Sequence, residues 1–359
     1  MSQPQDAGSW FGHTVEAGAS AVVSAVLSET YSGAEVSVPM LVWRGRRDGP
    51  TVSVTAAVHG DEINGTGAIR RIIHERPFDL AAGTLVLVPV VNVLGFERHA
   101  RYLPDRRDLN RSFPGSADGS LSSRMAHSFF ERVIRRCDYG IDLHTAAVRR
   151  TNFPNVRADM SNARLAAFAR AFGSALVVDG KGPKGSLRRS ACKAGCLTFI
   201  LEAGEVWKAE PGIVAYAMRG VANCLKYLHM VEGEPNPPRY RIETDATKWV
   251  RAPRGGFLEF HTSPGVVVEK GDAIATISDL VGDESETVHA PRDGVVLGMT
   301  TIPSIAPGDA ICHLAFPRRG VLAKVGKLVD RLGEDPLHET IRDHLATNVS
   351  VTPSDETEP

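Results

Sequence analysis

The sequence predicts an α/β fold with a mixed, mainly parallel sheet flanked by helices, followed by a C-terminal all-β domain. Short apolar strand-like segments alternate with helix-like segments between about residues 51 and 231, and this alternation is typical of a parallel sheet with helices on both faces. The Pro-rich stretch Glu232–Pro238 then breaks the pattern and is predicted to be a linker. Beyond it, short apolar strands punctuated by Gly and Pro occur in two similar copies, which indicates an internal repeat.

The elements of the first part follow from local composition and periodicity. Residues 1–34 are predicted to be a weakly structured N-terminal segment because they are polar and rich in Gly, Ala and Ser. Glu35–Trp43 alternates like an edge strand, since Pro39 would interrupt the hydrogen bonding of a central one. Strands are then predicted near residues 51–58, 84–91, 139–144, 175–179 and 197–202, and helices near residues 64–74, 121–137, 161–173 and 211–230. Together these elements define a first predicted domain over residues 35–235.

The repeat defines a second predicted domain over residues 246–318. Its copies lie about 38 residues apart and pair Ala252–Gly256 with Ala290–Gly294, and Gly271–Ala275 with Gly308–Cys312. Such a repeat predicts a pseudo-symmetric β-sandwich, and the pattern resembles the barrel-sandwich domain of biotinyl and lipoyl carriers. The connection between the copies contains no lysine to carry a prosthetic group, so a carrier role is not expected.

The chain beyond the repeat, residues 319–359, is predicted to form a helix and a disordered tail. Apolar residues recur with helical spacing from Val321 to Leu332. The last ten residues, Ser350–Pro359, are acidic and contain few apolar side chains, a composition typical of disorder.

Composition narrows the class of protein. The chain has 359 residues, enough for two domains, with 43% hydrophobic and 23% charged residues. A net charge of −1 argues against a nucleic-acid partner, because a phosphate-binding surface needs a basic excess. The apolar run Ala17–Leu27 is too short to span a bilayer and lacks a preceding basic cluster. Five scattered cysteines indicate reduced thiols, so we expect a cytoplasmic protein without membrane contact; a homo-oligomeric state stays open.

The residues with metal-binding chemistry are His59, Glu62 and His144. His59 follows a predicted strand, Glu62 precedes a predicted helix, and His144 ends another strand, so all three are expected at the carboxyl edge of the sheet. Two imidazoles and one carboxylate form a catalytic zinc site that leaves one position for water, whose pKa the ion lowers to about 7. An isolated HxxE motif also occurs by chance, and the strand context is what favours the metal interpretation.

Two further segments supply groups that such a site would use. Arg101–Gly115 contains four arginines and one asparagine in a turn-rich stretch. An arginine fork binds a carboxylate with two hydrogen bonds, although a solvated basic loop would have the same composition. The strand Cys196–Leu201 runs into Glu202, which would serve as a general base if it lay beside a metal-bound water. Glu205 is the alternative base, and without a metal site Glu202 would be an ordinary surface residue.

Four motifs occur in one order along the chain: HGDE at His59–Glu62, RDLNRSFPG at Arg107–Gly115, DLHT at Asp142–Thr145 and LEAGE at Leu201–Glu205. Over roughly residues 35–235 this combination resembles the succinylglutamate desuccinylase/aspartoacylase family of the zinc carboxypeptidase-like superfamily. The resemblance implies a zinc exopeptidase-like fold.

The resemblance also implies a role for each candidate site residue. One Zn²⁺ per chain is expected on His59, Glu62 and His144, with Glu202 as the catalytic carboxylate. Substrate carboxylate binding is expected from Asn110 and Arg111, and polarisation of the scissile carbonyl from Arg101. The loop looks two residues longer than in aspartoacylases, so Arg106 or Arg107 is an alternative to Arg101. Asp142, two residues before His144 on the same strand face, would either orient that ligand or serve the strand alone.

The function expected from these residues is zinc-dependent hydrolysis of the amide bond in small N-acyl amino acids or related N-acyl amines. Three alternatives use the same residues. They are a carboxypeptidase acting on short peptides, an esterase with the same zinc site, and a non-catalytic zinc-binding protein. Intact ligands together with Glu202 argue against the last of these.

Overall fold

The computed structural model describes residues 8–318, 320–322 and 336–352, which form a mixed α/β fold. The strands, numbered along the chain, are β1 Ser9–Trp10, β2 His13–Thr14, β3 Ser20–Glu29, β4 Glu35–Arg44, β5 Arg47–Ala56, β6 Ala82–Val88, β7 Tyr139–His144, β8 Arg150–Ala158, β9 Leu176–Asp179, β10 Leu197–Gly204, β11 Ile242–Thr244, β12 Thr247–Arg251, β13 Gly256–Phe260, β14 Val267–Val268, β15 Ala273–Ser278, β16 Ser285–His289, β17 Gly294–Thr300, β18 Ser304–Ile305, β19 Ala310–Ala315 and β20 Ser350–Val351. The α-helices are α1 Asn64–Glu75, α2 Val93–Phe96, α3 Leu121–Arg132, α4 Ala163–Ala171, α5 Leu187–Lys193, α6 Pro211–Tyr227 and α7 Pro336–Ala346. Two short 3₁₀ helices span Leu109–Arg111 and Ile134–Arg136.

Most strands of the described residues join one large mixed sheet. Its middle consists of four adjacent parallel strands in the order β6-β5-β7-β10. Antiparallel strands β4 and β3 continue the sheet on one side, and β8, β17, β19 and β12 on the other. The predicted mainly parallel character therefore holds for the centre, whereas the complete sheet is mixed.

Helices cover both faces of this sheet, as the alternating pattern predicted. On one face α1, α4 and α6 bury their apolar sides against the central strands. On the other face α3 and α5 pack over a second apolar cluster, which β3 and β4 extend. Because helices cover both faces of the sheet, polar functional residues are expected at the carboxyl ends of the parallel strands.

Two expectations for the N-terminal region are wrong. Ser20–Glu29, expected to be weakly structured, forms strand β3, because its alternate residues Val23, Ala25 and Leu27 are buried against the sheet. Strand β4 is not an edge strand, since it lies between β3 and β6. Strand β4 tolerates Pro39 because its pairing with β6 involves only Leu41–Arg44. The proline, which has no backbone N–H to donate, lies outside this hydrogen-bonded stretch.

The repeat-containing segment is joined to the large sheet. Strand β17 pairs with β8, and β19 and β12 follow it outward. The remaining strands form a five-stranded sheet of β16, β15, β13, β18 and β20. An apolar cluster that includes Phe260, Ile274 and Leu314 is buried among these strands. The likeness to a barrel-sandwich domain and the domain boundaries stay predictions.

The C-terminal expectations are only partly covered by the structure. The helix expected over Val321–Leu332 lies mostly outside the described residues. Within the predicted disordered tail, Ser350–Val351 instead pairs with β13 as β20, which corrects that expectation for these two residues. Helix α7 contributes Ile341 to the core of the large sheet and Leu345 to the core of the repeat segment, and so ties the two together.

The helices and cysteines bear on two further expectations. Within the described ranges, each helix is too short or too polar to serve as a bilayer-spanning segment. All five cysteines are free thiols, and four of them are buried while Cys192 is partly exposed. Burial raises the pKa of Cys196 to about 12, so this thiol stays protonated and behaves as a small apolar side chain.

Candidate active site

Two histidines and one glutamate meet at the carboxyl edge of the central strands. His59 and Glu62 lie in the turn between β5 and α1, and His144 is the last residue of β7. Because β5 and β7 are parallel neighbours, with Ala56 opposite Leu143, their ends lie side by side. The ligand atoms of the three side chains lie within 4.8 Å of one another, and all three residues are buried. Among the described residues this is the only such group of three or more.

The turn that presents His59 is built for close packing. Ala57 has a φ of 49°, in the left-handed region that non-glycine residues rarely adopt. Gly60 lies against the backbone of α2, where an added Cβ would come within 2.1 Å of the carbonyl carbon of Gly95. Strain of this kind is concentrated at functional sites. The turn thus requires glycine at position 60, and the predicted strand–turn–helix arrangement is observed here.

Carboxylates outside the group orient both imidazoles. Each histidine directs Nδ1 towards Glu62, at 2.6 Å for His59 and 2.8 Å for His144. The opposite nitrogens face acids: His59 Nε2 lies 3.2 Å from Asp108 Oδ1, and His144 Nε2 lies 2.7 Å from Asp142 Oδ2. Thr55 holds Asp142 in turn with a hydrogen bond of 2.7 Å. The carboxylate–histidine arrangement is what orients metal-binding imidazoles, and Asp108 is a member that sequence reasoning missed.

Opposite charges stabilise this buried cluster. Burial disfavours the charged form of Glu62, but the adjacent imidazoles of His59 and His144 outweigh it and hold the pKa of Glu62 well below its usual range. Burial likewise opposes charge on His144, yet Asp142 and Glu62 raise the pKa of this imidazole well above its ordinary value. Glu62 therefore stays ionised, as a metal-binding carboxylate must be.

Glu202 lies beside the histidine cluster on β10. In the parallel pairing of β10 with β7, Glu202 is directly opposite His144. Its Oε2 accepts a hydrogen bond of 3.1 Å from Asn152 Nδ2, and its Oε1 lies 4.0 Å from an Arg157 nitrogen. Glu205, the alternative base, does not line the same cavity and instead pairs with Lys208 at 3.0 Å. Of the two glutamates, only Glu202 can reach a substrate in that cavity.

The arginine-rich loop places one of its arginines at the cluster. Arg101 donates to Glu62 Oε1 and to Asp108 Oδ2, both at 3.1 Å. These two carboxylates outweigh the effect of burial and raise the pKa of Arg101, so its charge persists. Arg106 and Arg107 are exposed and do not line the cavity.

Asn110 and Arg111 form the 3₁₀ turn that closes the loop over the site. Asp108 caps this turn by accepting a hydrogen bond of 2.8 Å from the Asn110 backbone. The Asn110 side-chain oxygen accepts from the Leu187 backbone at 2.8 Å, which turns the amide NH₂ away from α5. Arg111 donates to the Asn110 carbonyl at 2.7 Å. Both side chains line the cavity.

The cavity that joins these groups has a volume of about 350 Å³. Several of its lining residues had not been predicted: Arg150, Asn152, Arg157, Arg188, Trp249 and His313. Arg188 is 7% exposed, and its buried Nη1 has no hydrogen-bond partner among the described residues. Burial, assisted by the nearby charge of Arg157, lowers the pKa of Arg188 to about 10. An unpaired buried cation is costly, so this guanidinium is suited to binding an anion that enters the cavity.

Comparison with known proteins relates this arrangement to a family. The family model for the succinylglutamate desuccinylase/aspartoacylase catalytic domain matches residues 48–228, about half of the chain. The chain is 29% identical over 294 residues to the N-alpha-acetyl-L-2,4-diaminobutyric acid deacetylase of Halomonas elongata, covering 78% of this chain and 86% of the relative.

Solved structures agree with the sequence comparisons. The succinylglutamate desuccinylase/aspartoacylase of Rhodobacter sphaeroides superposes with a TM-score of 0.72 at 27% identity, covering 83% of this chain and 96% of that one. The ectoine utilization protein EutE (DoeB) of Ruegeria pomeroyi shares the fold, with a TM-score of 0.72 at 24% identity over 82% of this chain and 95% of that one. The protein thus belongs to the succinylglutamate desuccinylase/aspartoacylase family of deacylating hydrolases.

Proposed function

We propose that the protein is a zinc-dependent hydrolase that cleaves the amide bond of small N-acyl amino acids or related N-acyl amines. The observation that carries the proposal is the meeting of His59, Glu62 and His144 with Glu202 around one cavity. Family membership supports deacylation as the class of reaction.

The donor set fits a zinc ion. Two imidazoles and one carboxylate are a ligand set of catalytic zinc sites, and three protein ligands leave a position for water. Both histidines direct Nδ1 towards Glu62 and hold Nε2 against a carboxylate, so each would bind through Nδ1. Zinc at this position would polarise the acyl carbonyl and make water more acidic.

Glu202 would transfer the proton, and Arg101 would stabilise the negative charge that develops on the acyl oxygen. Glu202 would accept a proton from the attacking water and return it to the departing amine. Asn152 leaves one Glu202 oxygen free for this exchange, because it donates to Oε2 alone. Arg101 would donate to the acyl oxygen as negative charge develops on it.

Polar and cationic side chains on the loop side of the cavity would bind the substrate. Asn110 and Arg111 would hold the carboxylate of the amino acid, the former through its free amide NH₂. Arg188, whose Nη1 lacks a hydrogen-bond partner among the described residues, would supply a further donor. A substrate carboxylate at this point would neutralise the charge of Arg188, for which the described residues supply no ion pair.

A substrate screen tests the proposal and separates it from the alternatives. We expect the zinc-loaded protein to hydrolyse N-acetyl or N-succinyl amino acids with higher kcat/KM than short peptides or carboxylic esters. A cavity of about 350 Å³ suits substrates of that size. Preference for peptides would favour the carboxypeptidase, and preference for esters the esterase. Stoichiometric zinc without turnover on the whole panel would favour a binding protein.

Arg111→Ala is expected to raise KM for N-acyl amino acids by about 10- to 100-fold with a smaller change in kcat. A charge-assisted hydrogen bond contributes roughly 1.5–3 kcal/mol, and this one would act in ground and transition states alike. Steady-state kinetics provide the measurement. The control is Arg107→Ala, which removes an exposed arginine of the same loop that does not line the cavity. Equal effects of the two substitutions would contradict a specific role for Arg111.

Asp142→Asn is expected to weaken zinc binding by about 10- to 100-fold while the melting temperature changes little. The asparagine can still accept the Thr55 hydrogen bond but no longer places a negative charge 2.7 Å from His144 Nε2. Competition with a chelator of known affinity measures the change. Unaltered zinc affinity in a folded variant would show that Asp142 serves only the strand.

A further inference from the structure

A buried carboxylate connects the segment that follows Glu202 to the segment that follows Glu62. Glu210 directly precedes helix α6 and is 6% exposed, yet its side chain caps no N–H of that helix. Its Oε2 instead accepts hydrogen bonds from the Glu205 backbone N–H at 2.9 Å and from Asn64 Nδ2 at 2.7 Å. Glu205 lies three residues after Glu202, and Asn64 lies two residues after Glu62. One carboxylate oxygen therefore joins the segment after β10 to the first residue of α1.

Asn64 and the backbone strengthen this connection. The Asn64 side chain accepts from the Glu210 backbone at 2.7 Å and donates to the Glu205 carbonyl at 3.2 Å. The Trp207 N–H donates to the Asp61 carbonyl at 2.9 Å, which ties the same segment to the turn between β5 and α1. Asn64 and Glu210 are both buried, and leaving a buried polar group without its hydrogen bonds is costly. The position of the segment after β10 therefore depends on the Glu210 carboxylate.

Gly204, the last residue of β10, shows how closely Glu210 packs against this segment. Its φ is 71°, in the left-handed region that favours glycine, and an added Cβ would come within 2.1 Å of Glu210 Oε2. The Gly204 carbonyl accepts a hydrogen bond of 3.0 Å from the N–H of Ala146, which lies two residues after His144. The glycine of the LEAGE motif thus makes room for the carboxylate, and its backbone contacts the segment that follows the third proposed metal ligand.

The other oxygen of Glu210 faces the C-terminal helix. His344 on α7 places Nδ1 3.2 Å from Glu210 Oε1. Leu337 and Thr340 of the same helix lie over Gly212 on α6, where an added Cβ would be 3.6 Å from one and 3.8 Å from the other. Helix α7 lies outside the part of the chain that the family model matches. An element from outside the matched catalytic domain therefore holds the carboxylate that connects the two segments.

We infer that Glu210 is a positioning residue for deacylation and that His344 of α7 holds it in place. Glu210 fixes the distance between the base Glu202 and the metal ligand Glu62, because its hydrogen bonds join the segments that follow them. A displacement of about 1 Å between groups that act together can lower a rate by about 10²-fold. This inference rests on the proposed function, which supplies the roles of Glu202 and Glu62. The loop proposed to bind the substrate carboxylate is a different segment, so the effect should fall on kcat.

The test compares two substitutions of Glu210 in the zinc-loaded protein with the best N-acyl amino acid. Glu210→Ala is expected to lower kcat by about 10- to 100-fold and to change KM by less than about threefold. In Glu210→Gln the amide oxygen can still accept from Asn64 and from the Glu205 N–H, and the NH₂ group can donate to His344 Nδ1. This variant should retain kcat within about threefold of the wild type, because its hydrogen bonds are kept.

A second pair of variants tests the contribution of α7. His344→Ala removes the group that faces Glu210 Oε1 and should lower kcat by about 3- to 10-fold. His344→Asn, whose amide nitrogen can take the place of Nδ1, should recover most of this loss. Val38→Ala is the control for stability, because it opens a cavity in the apolar cluster on the other face of the sheet. It should lower the melting temperature and leave kcat unchanged.

Hydrogen exchange of the Glu205 amide gives a measurement that needs neither turnover nor zinc. This N–H donates to Glu210 Oε2, so its exchange in metal-free Glu210→Ala should be at least about tenfold faster than in the metal-free wild type. In Glu210→Gln and in Val38→Ala the rate should stay close to that of the wild type. Mass spectrometry of peptides that contain Glu205 provides the rates.

Several results would overturn the inference while leaving the deacylase function intact. They are a wild-type kcat in Glu210→Ala, an equal loss of kcat in Glu210→Gln, or an equal loss in Val38→Ala. If Glu210→Ala does not fold, the His344 pair decides, since wild-type kcat in His344→Ala would remove the role of α7.

Absence of hydrolysis on every substrate would instead count against the proposed function. The exchange measurement still decides the positioning role in that case. An unchanged rate at Glu205 in Glu210→Ala would show that the carboxylate does not hold the segment after β10.

Discussion

Glu202→Gln is expected to lower kcat by about 10²- to 10⁴-fold while the fold and the bound zinc are retained. The amide cannot accept a proton from water or return one to the leaving amine. It can still accept the hydrogen bond that Asn152 donates to Oε2 at 3.1 Å, so the local structure should persist. Turnover of the best N-acyl amino acid, zinc content and melting temperature are the three measurements.

The chain provides a matched control for this variant in the same motif. Glu205 lies three residues further on, pairs with Lys208 and does not line the cavity. Glu205→Gln should therefore retain kcat within about threefold of the wild type. Near-normal turnover of Glu202→Gln would remove the catalytic role assigned to Glu202, and a large loss in Glu205→Gln alone would transfer it to that residue.

Loss of the metal is expected to have the second large effect. Removal of zinc by a chelator should reduce turnover by at least about 10³-fold, and addition of one equivalent of Zn²⁺ should restore it. Glu62→Ala should show the same loss without recovery, because Glu62 contacts both imidazoles and would be the third ligand. Metal analysis of the purified variant, together with turnover before and after zinc addition, gives the measurement.

A fourth glutamate, Glu259, serves as the control for the metal experiment. Glu259→Gln alters a carboxylate on β13 that does not line the cavity and should bind zinc and turn over substrate as the wild type does. Full activity of the wild-type protein after removal of zinc by the chelator, or of the metal-free Glu62→Ala variant, would exclude a zinc mechanism. The family assignment would stand in either case, since it depends on sequence and fold.

The central elements could be anticipated because their signals are local. Helix α1 was expected near residues 64–74 and spans Asn64–Glu75, and strand β7 was expected at residues 139–144, where it is found. Apolar periodicity and turn residues are properties of adjacent positions. The same local signals placed His59 and Glu62 in the turn after one strand and His144 at the end of another, and parallel pairing of β5 with β7 then brings them together.

Strand β8 shows where local signals failed. It contains Asn152, Asn155 and Arg157 on a strand that is buried between β10 and β17. Two of these side chains contact the Glu202 carboxylate. Polar residues on a buried strand contradict the apolar pattern from which strands are predicted. The polar side chains that contact Glu202 are therefore the same ones that kept β8 from being predicted as a strand.

By itself the sequence determined the class of fold, the residue types of the candidate metal site and the choice of Glu202 as the candidate base, because motifs and hydrophobic periods are encoded by neighbouring residues. Only the tertiary structure brings Asp108 next to His59, where it orients the imidazole. It also places Trp249 and His313 in the lining of the cavity beside Arg150. Such contacts depend on the register of strands far apart in the chain, as in the pairing of β17 with β8. That register is set by the packing of the whole core, which local composition does not encode.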